Sequence, residues 1–268
     1  MEQSFVAWAK MRARRLPPVK LGIGDDAAVL ACDGSDMVIT TDSMMEGVHF
    51  ESALVDARRI GRKLVAVNLS DLAAMAAEPT AIFLSLCLPL GDAVDTESLA
   101  AEIYEGVCEM AERFGVAIAG GDTNCWNGPL VVNMTAVGCT VDDIIWTRSG
   151  AQPDDVIVVT GKLGGSLLGK HLDFLPRVDL ARQIRGAIDI HAAMDISDGL
   201  SVDLLRMCDA SNCGAILELD RIPIAEAAQQ RASTSGKLPV EHALGDGEDF
   251  ELLLAIPAAE LAALQQRV

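Results

Sequence analysis

Short apolar, β-prone runs in this chain end again and again in carboxylates, and that recurrence narrows what it can fold into more than any other feature. Gly22-Ile23-Gly24-Asp25-Asp26-Ala27-Ala28-Val29 sets two adjacent aspartates between glycines and a strand-like continuation. Val38-Ile39-Thr40-Thr41-Asp42, Gly120-Gly121-Asp122-Thr123 after an apolar run, Met194-Asp195-Ile196-Ser197-Asp198-Gly199 and Gly245-Asp246-Gly247-Glu248-Asp249-Phe250-Glu251 repeat the theme. Like charges side by side repel, and an apolar continuation draws them inward, so such clusters need a cation or several hydrogen-bond donors. One Gly-Asp-Asp alone is commonly a solvated turn. Several at strand ends, beside the hydroxyls of Thr40 and Thr41, form a plausible oxygen ligand set for a hard cation.

The segments between these clusters alternate between strand and helix patterns. Residues 58–77 are rich in Ala, Leu and Met and precede Pro79, which predicts a helix. On it Asn68, Asp71 and Met75 share a face at spacings of three and four, and a carboxylate among such small residues calls for a cation or donors. Residues 81–88 read as an apolar strand, 96–114 as a helix carrying Tyr104, 116–119 as a buried strand ending near Asp122, and 130–138 as another strand. From 140 to 155 the pattern breaks into charges, Gly150 and Pro153, so domains are expected at 1–145 and 146–268, with Arg148 in the connecting loop.

Beyond that break a strand over 156–160 leads into Gly161-Lys162-Leu163-Gly164-Gly165-Ser166, whose spacing is not that of a P-loop. Period-two alternation puts Asp195 and Ser197 on one strand face, and Asp198 falls where it can cap the following helix. The acidic turn at 246–251 reads most simply as an exposed loop before a strand over 252–256.

Asp and Glu number 39 against 21 Lys and Arg, a formal charge of -18. That balance argues against nucleic acid or an anionic membrane as partner, and any phosphorylated ligand would have to be held through metal ions, helix N-termini and a few basic residues. Seven cysteines without a Cys-x-x-Cys pair read as reduced thiols of a cytoplasmic protein. No run of about 18 apolar residues is present. Aromatic residues, at 4%, are too few for a sugar-stacking set. A nucleophile elbow and zinc-type Cys/His spacing are missing. Aspartates with threonine hydroxyls suit Mg²⁺, whose carboxylate clusters most often serve phosphoryl transfer.

Taken in order, Gly22-Ile23-Gly24-Asp25-Asp26, Thr40-Thr41-Asp42 with Gly47-Val48-His49-Phe50, Val67-Asn68-Leu69-Ser70-Asp71-Leu72-Ala73-Ala74-Met75, Gly120-Gly121-Asp122-Thr123, Thr147-Arg148-Ser149-Gly150, Asp195-Ile196-Ser197-Asp198-Gly199 and Gly247-Glu248-Asp249-Phe250-Glu251 resemble the thiamine-monophosphate kinase family over nearly the whole chain. Several of these motifs are shared with the wider aminoimidazole ribonucleotide synthetase-like superfamily; the asparagine-bearing helix and the Gly-Val-His-Phe segment point to the thiamine branch.

The resemblance implies a two-domain α/β (α+β) fold of the aminoimidazole ribonucleotide synthetase type, with an N-terminal dimerising mixed sheet and a C-terminal α/β sandwich. It implies ATP-dependent phosphorylation of thiamine monophosphate to thiamine diphosphate by direct in-line transfer in a homodimer. By matching position, Asp26, Thr40, Thr41, Asp42, Asp71, Asp122, Asp195 and Asp198 would bind Mg²⁺. Tyr104, Gly121, Asp122, Arg148 and Ser197 would contact ATP, His49 and Glu248 the thiamine substrate, and no general base is expected. Relatives in that family continue beyond the Gly-Glu-Asp motif, so a C-terminally shortened chain is expected. Residues 123–129 are also longer than the family pattern. A related enzyme with another acceptor and a shortened, non-catalytic nucleotide-binding paralogue remain the alternatives.

Overall fold

Helix α2 (Ala57–Ala74) is the element around which both halves pack, and its sequence explains why. Asp56 caps it, its side chain accepting the Arg58 N–H at 2.8 Å, and small and aliphatic residues cover nearly its whole circumference. A helix apolar all round belongs in an interior. Here it lies against three strands of the first sheet and against two helices and a strand of the second half. The helix stops three residues earlier than expected, with Met75 as its C-cap. The computed structural model describes residues 2–13, 16–91 and 95–267.

In the first half α1 (Glu2–Arg12) precedes β1 (Val19–Leu21), β2 (Ala28–Leu30) and β3 (Met37–Met45). After α2 come β4 (Glu78–Pro89), α3 (Thr96–Phe114), β5 (Ala117–Trp126) and β6 (Val131–Cys139). These six strands form a mixed sheet in the order β1-β2-β3-β6-β4-β5, in which only the β4–β5 pair is parallel. The two-residue period of β6 turns Val132, Met134 and Ala136 into the core, each without exposure. Helices α2 and α3 touch backbone to backbone at two glycines. A Cβ on Gly61 would lie 2.0 Å from the Ile103 carbonyl oxygen and one on Gly106 1.9 Å from that of Arg58.

Strand β5 corrects an expectation. It does not end at the glycines but runs through Gly120, Gly121 and Asp122 to Trp126, and almost all of it is exposed. The reason is its place at the sheet edge, where only β4 pairs with it. Gly121 is required by that pairing, since a Cβ there would sit 1.7 Å from the Leu84 carbonyl oxygen.

The second half contains β7 (Asp155–Val159), α4 (Lys170–Asp173), α5 (Val178–Ile184), β8 (Ala192–Asp195) and α6 (Leu200–Ser211). It continues through α7 (Glu226–Ser235), α8 (Pro239–Gly245), β9 (Leu252–Pro257) and α9 (Leu261–Gln265). The three strands form an antiparallel sheet in the order β7-β9-β8, and the run Leu252 to Ile256 is buried on both faces of its central strand. Phe174 and Phe250 stack with centroids 4.2 Å apart and join the same apolar core as α2, so the two sheets share an interior. Each large aliphatic side chain fully buried there contributes about 1.5–3 kcal/mol.

Candidate active site

Three aspartates far apart in sequence meet where the halves join. Asp26 precedes β2, Asp71 sits in the last turns of α2 and Asp195 ends β8, and their carboxylate oxygens lie within 4.8 Å of one another. Each is held by a neighbour of the right chemistry. Thr40 Oγ1 donates to Asp71 at 2.5 Å, Ser70 Oγ donates to Asp195 at 2.6 Å, and the Arg148 guanidinium donates to Asp26 at 2.6 and 3.2 Å. Asp42 lies within hydrogen-bonding reach of Asp71.

These partners do not neutralise the cluster. Burial pushes Asp195 up to about 8, with the negative charge of Asp26 adding to it. Asp26 is pushed up to about 6, chiefly by burial and against the pull of Arg148. Asp71 is raised well above the carboxylate range by burial and then by Asp195, Asp42 and Asp26. The Asp26 Oδ2 atom is buried with no hydrogen-bond partner. Convergent carboxylate oxygens, a threonine hydroxyl beside them and an orphaned buried oxygen fit a divalent hard cation.

The other expected site residues fall into distinct groups. Thr41 points to the opposite sheet face from Thr40 and Asp42, as strand alternation requires, and donates to the Met134 carbonyl at 3.0 Å. Tyr104, Gly121 and Asp122 line one surface cavity of about 650 Å³ together with Leu84 and Leu86, and Asp122 accepts a hydrogen bond from Asn124. Asp198 is turned outward in an ion pair with Arg206. Ser197 follows Asp195 beyond the strand end, and its carbonyl accepts the Glu248 N–H at 2.7 Å. His49 Nδ1 accepts the Met45 N–H at 3.0 Å. The carbonyl of His49 and the carboxylate of Glu248 both accept from Lys63, a residue sequence reasoning did not single out.

Asp198 does not cap α6. No side chain caps it; Asp203 in its first turn instead holds the turn before the helix, its Oδ2 accepting the N–H groups of Ser197, Asp198 and Gly199 at 2.9–3.1 Å. An acid in the first helical turn was the available signal. The acidic turn at 246–251 is likewise not an exposed loop, because Asp249 and Glu251 are buried. Asp249 accepts the Gly164 N–H, while Glu251 takes a two-point contact from Arg177 and another from Lys170. Burial alone would raise Glu251, but Arg177 and Lys170 outweigh it and leave its acidity increased. These carboxylates fix the turn, and their basic partners, 74 and 81 residues earlier in the chain, could not be paired with them from the sequence.

Comparison with known proteins identifies both halves of the chain. Residues 24–140 match the AIR synthase related protein N-terminal domain and residues 152–266 the corresponding C-terminal domain. The chain is 47% identical to the thiamine-monophosphate kinase of Rhodopirellula baltica, covering 99% of this chain and 85% of that protein. It is 34% identical to the enzyme of that name from Escherichia coli, covering 95% and 82%. A solved structure described as AaThiL complexed with AMPPCP and TMP superposes with a TM-score of 0.84 at 27% identity, over 96% of this chain and 85% of the other. The thiamine-monophosphate kinase structure from Stenotrophomonas maltophilia gives a TM-score of 0.76 at 32% identity, over 98% and 87%. With both halves matched and this identity running nearly end to end, the chain belongs to the thiamine-monophosphate kinase family of AIR synthase related proteins.

Proposed function

We propose that this protein transfers the γ-phosphoryl group of ATP to the phosphate of thiamine monophosphate, forming thiamine diphosphate and ADP in a Mg²⁺-dependent in-line reaction. The observation that carries this reading is the convergence of Asp26, Asp71 and Asp195 at the junction of the halves. Relatives named for the activity and a structural neighbour described with an ATP analogue and TMP support it. Mg²⁺ bound here would neutralise the charge of the polyphosphate. Its ligands would come from Asp26, Asp42, Asp71 and Asp195 with Thr40 beside them; Thr41, Asp122 and Asp198, which face elsewhere, would serve further ions on the polyphosphate.

Tyr104, Gly121 and Asp122 would hold the nucleotide along the β5 cavity, with Arg148 and Ser197 reaching it from the second half. His49 and Glu248 would hold the thiamine end. The attacking atom is a phosphate oxygen already anionic near neutral pH, its second pKa being about 6, so the residues need only align and screen the reactants. The domain division at 145/146 and a cytoplasmic location belong to the same proposal. Among the described residues no helix is long and apolar enough to cross a membrane. The proposed homodimer draws on the uncovered β5 edge, where Trp126 stands exposed with Phe83 of neighbouring β4 beside the strand, since such an edge invites strand pairing.

Incubation with ATP, Mg²⁺ and thiamine monophosphate should give thiamine diphosphate and ADP in equal amounts. Nucleotide binding by folded protein with no turnover would overturn the proposal, and ADP release only with a different acceptor would move it to another substrate. Arg148→Met is expected to raise KM for ATP about tenfold to hundredfold, the worth of one charge-assisted contact at about 1.5–3 kcal/mol. The KM for thiamine monophosphate should stay near its starting value in the same assays.

A further inference from the structure

Lys63 is 1% exposed on α2, in the centre of the molecule, and no role for it follows from the metal or nucleotide site. Its ammonium makes two contacts. It donates to the His49 carbonyl oxygen at 3.2 Å and to Glu248 Oε2 at 2.8 Å. One segment belongs to the first half and the other to the second, and they are the two segments proposed above to hold thiamine. Glu248 is also one of the few non-glycine residues in the left-handed region, at φ 53°. That conformation costs about 1–2 kcal/mol for an L residue and persists only where surroundings impose it.

The surroundings here are specific. The Glu248 N–H donates to the Ser197 carbonyl at 2.7 Å and the Phe250 N–H to that of Ile196 at 2.8 Å, which fastens the turn to the segment carrying Asp195. Those bonds set the backbone, and Lys63 sets the side chain. Stability alone does not call for this arrangement, because exchanging a buried ion pair for apolar groups of similar volume is often neutral or stabilising. Lys63 lies eight residues before Asp71, about 12 Å along the same helix axis. One rigid element thus spans from the carboxylate cluster to the proposed thiamine end.

We propose that Lys63 is a positioning residue that fixes Glu248 and the His49 loop in register with each other and so sets affinity for the thiamine substrate. This rests on the proposed kinase reading. The test compares wild type, Lys63→Met, Glu248→Gln and the double variant, each confirmed as folded by circular dichroism. Lys63→Met should raise KM for thiamine monophosphate about tenfold or more, with kcat and KM for ATP within about threefold, the signature of lost uniform binding. In the Glu248→Gln background the same change should add less than about twofold, because residues acting through one contact are not additive.

Additive effects of the two changes, or an equal rise in both KM values, would overturn the positioning role. If Lys63→Met does not fold, the same cycle with Lys63→Gln, too short to reach Glu248, gives the same two readings. Wild type that turns over no thiamine monophosphate defeats the kinase reading itself; active wild type with an unchanged KM in the variants defeats only this inference.

Discussion

Asp71→Asn is expected to lower kcat by at least about a thousandfold while the protein stays folded, the loss anticipated when several kcal/mol of charge stabilisation is withdrawn from a phosphoryl transfer. Asparagine matches aspartate in shape, and its carbonyl oxygen can still accept the Thr40 hydroxyl that Asp71 accepts at 2.5 Å. What disappears is a buried carboxyl group that must either carry charge beside Asp195, Asp42 and Asp26 or stay protonated well above its ordinary range, and asparagine incurs neither cost. The same substitution should therefore stabilise the metal-free protein, by about 2–4 °C in Tm for each kcal/mol of repulsion relieved. Activity falling while metal-free Tm rises separates a ligand from a scaffold residue. Wild-type turnover in the variant would remove Asp71 from the site; loss of turnover together with a lower metal-free Tm would make its role structural.

Most elements and much of the site were legible in the residues, for particular reasons. Asp71 stands out because a carboxylate in a helix of Ala, Leu and Met has no solvent to face, and α2 proved buried on nearly every side. Asp26 and Asp195 stand out because apolar runs pull them inward. Arg148 was readable only as a cation near an anionic site, and its pairing with Asp26 depends on contact across 122 residues. Lys63 was hidden because a lysine in a helix next to Arg62 normally reads as a solvated face, and the partners of its buried ammonium, His49 and Glu248, lie 14 and 185 residues away. The exposure of β5 was hidden for the reverse reason. Its apolar start looks like a core strand, and whether a strand sits at an edge is decided by sheet order, which period-two patterning does not encode.

Raising the pH should destabilise the metal-free protein and strengthen the effect of Mg²⁺. Asp26 and Asp195 bind protons in the folded state up to about 6 and about 8, whereas an exposed aspartate releases its proton near about 3.9. Between those limits the folded state holds more protons than the unfolded state, so its stability falls as pH climbs from about 4 toward about 8. Glu251 acts in the opposite sense. Its acidity is increased by Arg177 and Lys170, so its contribution is present above about 4.3 and is lost as pH drops through its lower folded value. Together these groups place the metal-free optimum in mildly acidic solution. A cation competes with protons for the same oxygens, so at a hundredfold excess over Kd it should add about 2.7 kcal/mol, or about 5–10 °C in Tm, near pH 8. Near pH 5 the gain should shrink, because the protons it must displace are bound more tightly there than in bulk carboxylates. Thermal unfolding with chelator and with Mg²⁺ at both pH values reads the difference directly. A metal-free Tm that does not fall over that range, or a Mg²⁺ gain independent of pH, would mean that the three aspartates do not share one cation.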